Sequence, residues 1–130
     1  MSVAKQQQRT VFRLGVLHRD KFTCRICGTK RAADNLDAHH ITPRELMPSG
    51  GYVLGNGITL CKHAERGPSC HESAEEAMRT SVEAGSDLWR FSPGELYKLI
   101  GSSAEAALRA DLAAASRPFK ARYPLARRGQ

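Results

Sequence analysis

Four cysteines in two groups, Cys24-Arg25-Ile26-Cys27 and then Cys61 with Cys70, are the residues in this chain whose type and spacing most clearly suit chemistry. Thirty-three residues separate the groups, with two residues inside the first pair and eight inside the second. Tetrahedral zinc takes four soft ligands from two segments that fold together, and the first pair has the spacing of a zinc knuckle. Gly28 follows it, free to take the positive φ such a turn needs. The fourth ligand is either Cys70 or His63. Cys70 is better placed, because a helix start favours the negative charge of a thiolate. The plain alternative is four unrelated thiols packed in a core.

His39, His40, Asn56 and His71 make the second constellation. Adjacent residues on a strand point to opposite faces, so His39 and His40 cannot serve the same role from the same side. One imidazole can ligate a cation while the other stays neutral to take a proton from water, which an ordinary pKa of about 6.5 permits. A lone histidine is more often a satisfied core residue than a ligand. Two in tandem beside a cysteine framework, with a third at Cys70-His71, favour function.

Charge narrows the class of partner. The net charge of +7 is uneven: residues 1–31 carry eight basic residues against one acid, and residues 117–130 carry five against none. Residues 32–116 have seven basic and twelve acidic residues. Basic ends around an acidic, histidine-bearing centre suit a polyanion at the periphery and a divalent cation in the middle; solvated basic tails are the simpler reading. No apolar run approaches the length of a membrane span, and Lys5, Arg9, Arg13 and Arg19 interrupt any secretory signal. Without export, four cysteines are better explained by a metal than by disulfides, and a cytoplasmic location is expected.

The elements that must position these groups are short. Residues 1–8 are expected to be disordered. From Arg9 to about His18, Val11, Leu14 and Leu17 fall three apart, suiting an amphipathic helix weakened by Gly15. Leu36 to Ile41 and Ile58 to Cys61 are strand candidates, separated by a loop containing Pro43, Pro48, Gly50 and Gly51. Asn56-Gly57 is also a tight-turn signal. Ser69 and Glu72 form a capping-box signature, predicting a helix from Cys70 to about Arg79 with His71, Ala74, Glu75 and Met78 on one face. Ser92-Pro93-Gly94-Glu95 opens a further helix with Leu96, Leu99 and Ile100 as its buried stripe and Gly101 as its stop. A last helix from Ser102 or Ser103 to before Pro118 is expected to turn Leu108 and Leu112 inward. With only 6% aromatic residues to fill a core, a metal staple would help.

Taken in order, Arg19-Asp20-Lys21-Phe22-Thr23-Cys24-Arg25-Ile26-Cys27-Gly28, Ala38-His39-His40-Ile41, Gly50-Gly51, Asn56-Gly57-Ile58-Thr59-Leu60-Cys61 and Cys70-His71 resemble the HNH endonuclease family over about residues 9–79. The resemblance implies an α+β fold: a small ββα-metal finger with a four-cysteine zinc knuckle (Cys24, Cys27, Cys61, Cys70), flanked by an N-terminal helix and C-terminal helices. The nuclease core would span 9–82, and 83–130 would be a helical extension packed on it with a basic tail. His39 would be the first ligand of the catalytic cation, His40 the general base, Asn56 a brace for the loop that positions the base, and His71 the second ligand. Glu75 stands where many members carry a further histidine or other polar group and is a candidate extra ligand. The segment between Cys61 and Cys70-His71 is longer than the family's usual two-residue gap.

The implied activity is hydrolysis of DNA, expected to be double-stranded, by one divalent cation (Mg2+, Mn2+, Ni2+ or Zn2+) beside a structural Zn2+. Arg9, Arg13, Lys21, Arg25, Arg122, Arg127 and Arg128 are the candidate phosphate contacts. Two other classes compete: a non-catalytic zinc-ribbon-like nucleic-acid binding module, and an interaction protein that docks through its helical C-terminal half. The binding module leaves His39, His40 and His71 without a reason to converge, and the C-terminal half has no legible chemistry of its own.

Overall fold

A computed structural model describes residues 3–115 of the chain. Helix α1 spans Val3–Arg19, strands β1 and β2 span Leu36–His40 and Gly57–Cys61, and helices α2, α3 and α4 span Cys70–Arg79, Pro93–Leu99 and Ala104–Ala115. The strands form a two-stranded antiparallel sheet in which Leu36 faces Cys61 and His40 faces Gly57. The molecule is α+β, with helices flanking that sheet.

Each element has a local cause. Alternation along β1 sends Leu36 into the core and turns Asp37 and His39 together to the other face. Strand β2 is buried at every position because helices close over it. The capping box forms as expected: the Ser69 hydroxyl accepts from Glu72 N–H while the Glu72 carboxylate accepts from Ser69 N–H, fixing Cys70 as the first residue of α2. Leu17, Leu36, Ile41, Ile58, Leu60 and Leu96 are fully buried and make one core with Cys24, Cys61 and Cys70 at its edge.

Several expectations are corrected. Helix α1 begins at Val3, so residues 3–8 are helical instead of disordered. Its buried stripe is Phe12, Val16 and Leu17, and Leu14 is exposed. Residues four apart stay aligned on a helix better than the run of threes at Val11, Leu14 and Leu17. Gly57 decides the face, since a Cβ there would lie 2.4 Å from a Val16 methyl and 2.7 Å from the Phe12 ring. Asn56-Gly57 is not a hairpin turn, because the strands are joined by the whole loop 41–56, and Asn56 closes a 3-10 turn running into β2.

In α3 the Ser92 hydroxyl bonds the Trp89 carbonyl and does not cap the helix; Tyr97 is buried, while Leu99 is exposed. In α4 the inward residues are Ala107, Asp111 and Ala114, and Leu108 and Leu112 face outward. Helix α4 lies close against loop backbone, where methyl groups fit and leucines do not. Asp111 then finds the N–H groups of Ser49 and Gly51, at 2.6 and 3.0 Å.

Candidate active site

The four cysteines meet. Cys24 and Cys27 come from the turn after α1, where Gly28 has φ 76° and its N–H bonds the Cys24 carbonyl at 2.9 Å. Cys61 ends β2 and Cys70 opens α2. Their sulfurs lie within 4.8 Å of one another, so this set could hold a metal ion. The sulfurs of Cys27 and Cys61 are 3.9 Å apart, far beyond a disulfide bond, and all four cysteines are free thiols. Exposed His63 is not in the cluster, and Cys70 completes it. The Cys24 thiol is drawn down to about 4 by a hydrogen bond from Cys70 and by backbone N–H groups; that same hydrogen bond, then burial, holds the Cys70 thiol up, and burial holds up that of Cys61. Four thiols this close can all ionise only around a cation, which is the donor chemistry of structural zinc.

The histidines divide by strand face. His39 and Asp37 point toward α2, and one donor atom each from His39, His71 and Glu75 lies within 4.8 Å of the others. The His71 Nε2 sits 3.0 Å from Asp37 Oδ2 and 3.1 Å from Glu75 Oε1. Asp37 raises the pKa of His71, and His71 lowers that of Asp37. His39 is buried and drops to about 4, first through loss of water and then through the neighbouring His71 charge. Two imidazoles and a carboxylate at one point form a donor set that suits a divalent ion.

His40 points the other way, between Phe12 of α1, with ring centroids 4.5 Å apart, and Tyr52, at 4.9 Å. Burial and the Arg44 charge bring it down to about 4, so it is neutral at pH 7. Its Nε2 is buried with no hydrogen-bond partner. His39, His40, His71 and Glu75 nevertheless all line one cleft of about 480 Å³, with Arg9, Arg44 and Tyr52 at its wall.

Asn56 braces the chain just beyond His40. Fully buried, its Oδ1 accepts from Thr42 N–H at 2.9 Å and from the Tyr97 hydroxyl at 2.7 Å. Its Nδ2 donates to the carbonyls of Thr42 and Gly51. Tyr97 also bonds the Thr42 hydroxyl, so α3 closes a network around the loop.

The run of residues from Cys24 to Glu75 thus carries both donor clusters, His40 between aromatic rings, and a buried asparagine holding the loop. This stretch matches a known family model. Residues 24–75 match the HNH endonuclease family model. No curated protein and no solved structure matches the chain. An HNH domain brings nuclease chemistry, metal binding and a nucleic-acid partner at the level of the family. Among the described residues, no helix is long and apolar enough to cross a membrane.

The basic candidates separate. Arg9 lines the cleft and Lys21 is exposed. Arg13 also lines the cleft but donates to the carbonyls of Ala33 and Leu36, and Arg25 donates to Asp20 and the Leu99 carbonyl, so the guanidiniums of both are occupied inside the fold. Arg122, Arg127 and Arg128 lie outside the described residues. Sequence reading missed Asp37, Phe12, Arg44, Tyr52 and Tyr97. The period-two step from Asp37 to His39 signals the first. The others approach from separate elements, and no spacing announces them.

Proposed function

We propose that the protein is a DNA endonuclease that hydrolyses phosphodiester bonds of duplex DNA, with one divalent cation and His40 as general base. The supporting observation is that the donors of His39, His71 and Glu75 and the unprotonated ring of His40 open on a single cleft. His39, His71 and Glu75 would hold the cation, and Asp37, whose carboxylate meets the same His71 Nε2 as Glu75, would add negative charge beside it. When bound, the cation supplies stabilisation of the negative charge that develops on the phosphate and the departing oxygen.

His40 accepts the proton of the attacking water. With Nε2 sealed, the accepting atom in this reading is Nδ1, and Nε2 carries the ring proton. Phe12 and Tyr52 keep the ring in place and exclude bulk water from its far side. Asn56, through Thr42 and Gly51, holds the loop that begins one residue after His40. Cys24, Cys27, Cys61 and Cys70 would hold Zn2+ as a staple between the knuckle, β2 and α2, and such a thiolate site suits the reducing cytoplasm. Arg9 and Lys21 supply phosphate contacts, joined in this reading by the basic residues after 116.

The test is cleavage of supercoiled plasmid with Mg2+, Mn2+ or Ni2+, run beside His40→Ala with zinc content and circular dichroism checked. Nicked or linear product from the wild type, reduced ~100- to 10,000-fold in the variant, supports the reading. Equal cleavage by both would remove His40 from the reaction. No cleavage by either would favour a zinc-stabilised nucleic-acid binding module.

A further inference from the structure

We propose that Arg9 and Arg44 form a two-guanidinium clamp for one DNA backbone phosphate at the cleft wall beside His40, preset in the free protein by the Tyr52 hydroxyl. The inference rests on the nuclease reading of the same cleft. Arg9 comes from α1, Arg44 from the 3-10 turn Arg44–Leu46, and Tyr52 from the loop before β2. Both arginines donate to one atom: Arg9 Nε lies 3.4 Å and Arg44 Nη1 3.2 Å from the Tyr52 hydroxyl oxygen. The Tyr52 ring is fixed edge-on against both His40 and Phe12, so the phenol cannot swing away without breaking those contacts.

The fold shows what it does when converging guanidiniums are only structural. Arg19 and Arg25 both meet the buried carboxylate of Asp20, at 2.8 Å each. At Arg9 and Arg44 the shared acceptor is a phenol. Among the ion pairs of the described residues neither arginine takes part, although Glu45 lines the same cleft. Two like charges brought to one oxygen repel each other. An anion with several oxygens relieves that repulsion, and the planar fork of arginine matches the two free oxygens of a phosphodiester. Because both groups already reach a common atom, they are placed for one phosphate and not for two neighbours along a strand.

The experiment uses the full zinc-loaded chain and a fluorescein-labelled mixed-sequence DNA duplex, with anisotropy read across a salt series and no divalent cation added. Arg9→Gln and Arg44→Gln are each expected to weaken binding roughly ten-fold at low salt. Arg109→Gln, which removes the same charge from an exposed position on α4, should bind as wild type does. The Arg9→Gln/Arg44→Gln double variant should flatten the slope of log affinity against log salt by about 0.9, the counterion release of one phosphate. Arg44→Lys keeps the charge and loses the fork, so it should retain the slope and lose affinity, which separates the clamp from misfolding.

Single variants that bind as Arg109→Gln does would overturn the clamp. A double variant that loses about twice the slope of one phosphate would also overturn it, by assigning the arginines to separate phosphates. Failure of the nuclease reading is recognised separately, as wild-type protein that binds the duplex but leaves plasmid uncut with Mg2+ and Mn2+.

Discussion

His39 and His40 are neighbours in the chain and strangers in space. Both are held down to about 4 by burial, whereas the unfolded chain takes up a proton at each near pH 6.5. Between those values the unfolded state binds more protons, so stability is full above pH 6.5 and is lost as pH falls toward 4. His71 works in the opposite sense: Asp37 raises its pKa, which adds stability below pH 6.5 that disappears as pH rises through the elevated value. For zinc-loaded protein without other added cations, urea unfolding at pH 7 and pH 5 should show a net loss of roughly 3 kcal/mol at the lower pH. His39→Gln should flatten that dependence. At the same scale, Tyr97→Phe removes the hydroxyl that bonds Asn56 and Thr42, with an expected cost of about 1 kcal/mol by urea denaturation. The histidine motif and Asn56 were legible as a linear pattern because each proposed role needs a particular side chain. Tyr97 was not, because its role is set by where α3 lands.

Helix α1 and strand β2 touch only because residue 57 lacks a side chain. Gly57→Ala would drive a methyl into Val16 and Phe12 and is expected to cost about 1 to 3 kcal/mol. Because Phe12 stacks on His40, the same change should lower plasmid cleavage more than its loss of stability explains, read as activity at a temperature where the variant is still folded. Helix α4 is tied to the loop before β2 by Asp111 and by the Ser102 hydroxyl on the Gly55 carbonyl. Asp111→Ala leaves two backbone N–H groups without their acceptor and should cost about 2 to 4 kcal/mol, measured by urea denaturation. The capped start of α2 could be read from Ser69 and Glu72, since a capping box is a local bargain between residues three apart. The inward face of α4 could not. Leucine spacing marked Leu108 and Leu112, yet a close approach of backbone selected Ala107, Asp111 and Ala114.

Across the whole molecule, the cysteine cluster joins three segments: the knuckle, the end of β2 and the start of α2. If zinc is the staple, native mass spectrometry should find one zinc ion per chain. Release with a mercurial thiol reagent should then abolish the cooperative thermal transition followed by circular dichroism; an unchanged transition would make the cluster dispensable for folding. The types and order of Cys24, Cys27, His39, His40, Asn56, Cys61, Cys70 and His71 were enough to indicate the likeness to the HNH family and the two donor clusters that the fold brings together. Metal donors are few in kind, and their spacing is constrained by strand and helix periodicity. Only the tertiary structure decided that Asp37 bonds His71, that Phe12 and Tyr52 enclose His40, and that Arg9 meets Tyr52 at the cleft wall while Arg13 and Arg25 bond the fold's own carbonyls and Asp20. Those outcomes depend on helices and loops meeting across long stretches of chain, where packing and charge neutralisation, and no local periodicity, choose the neighbours.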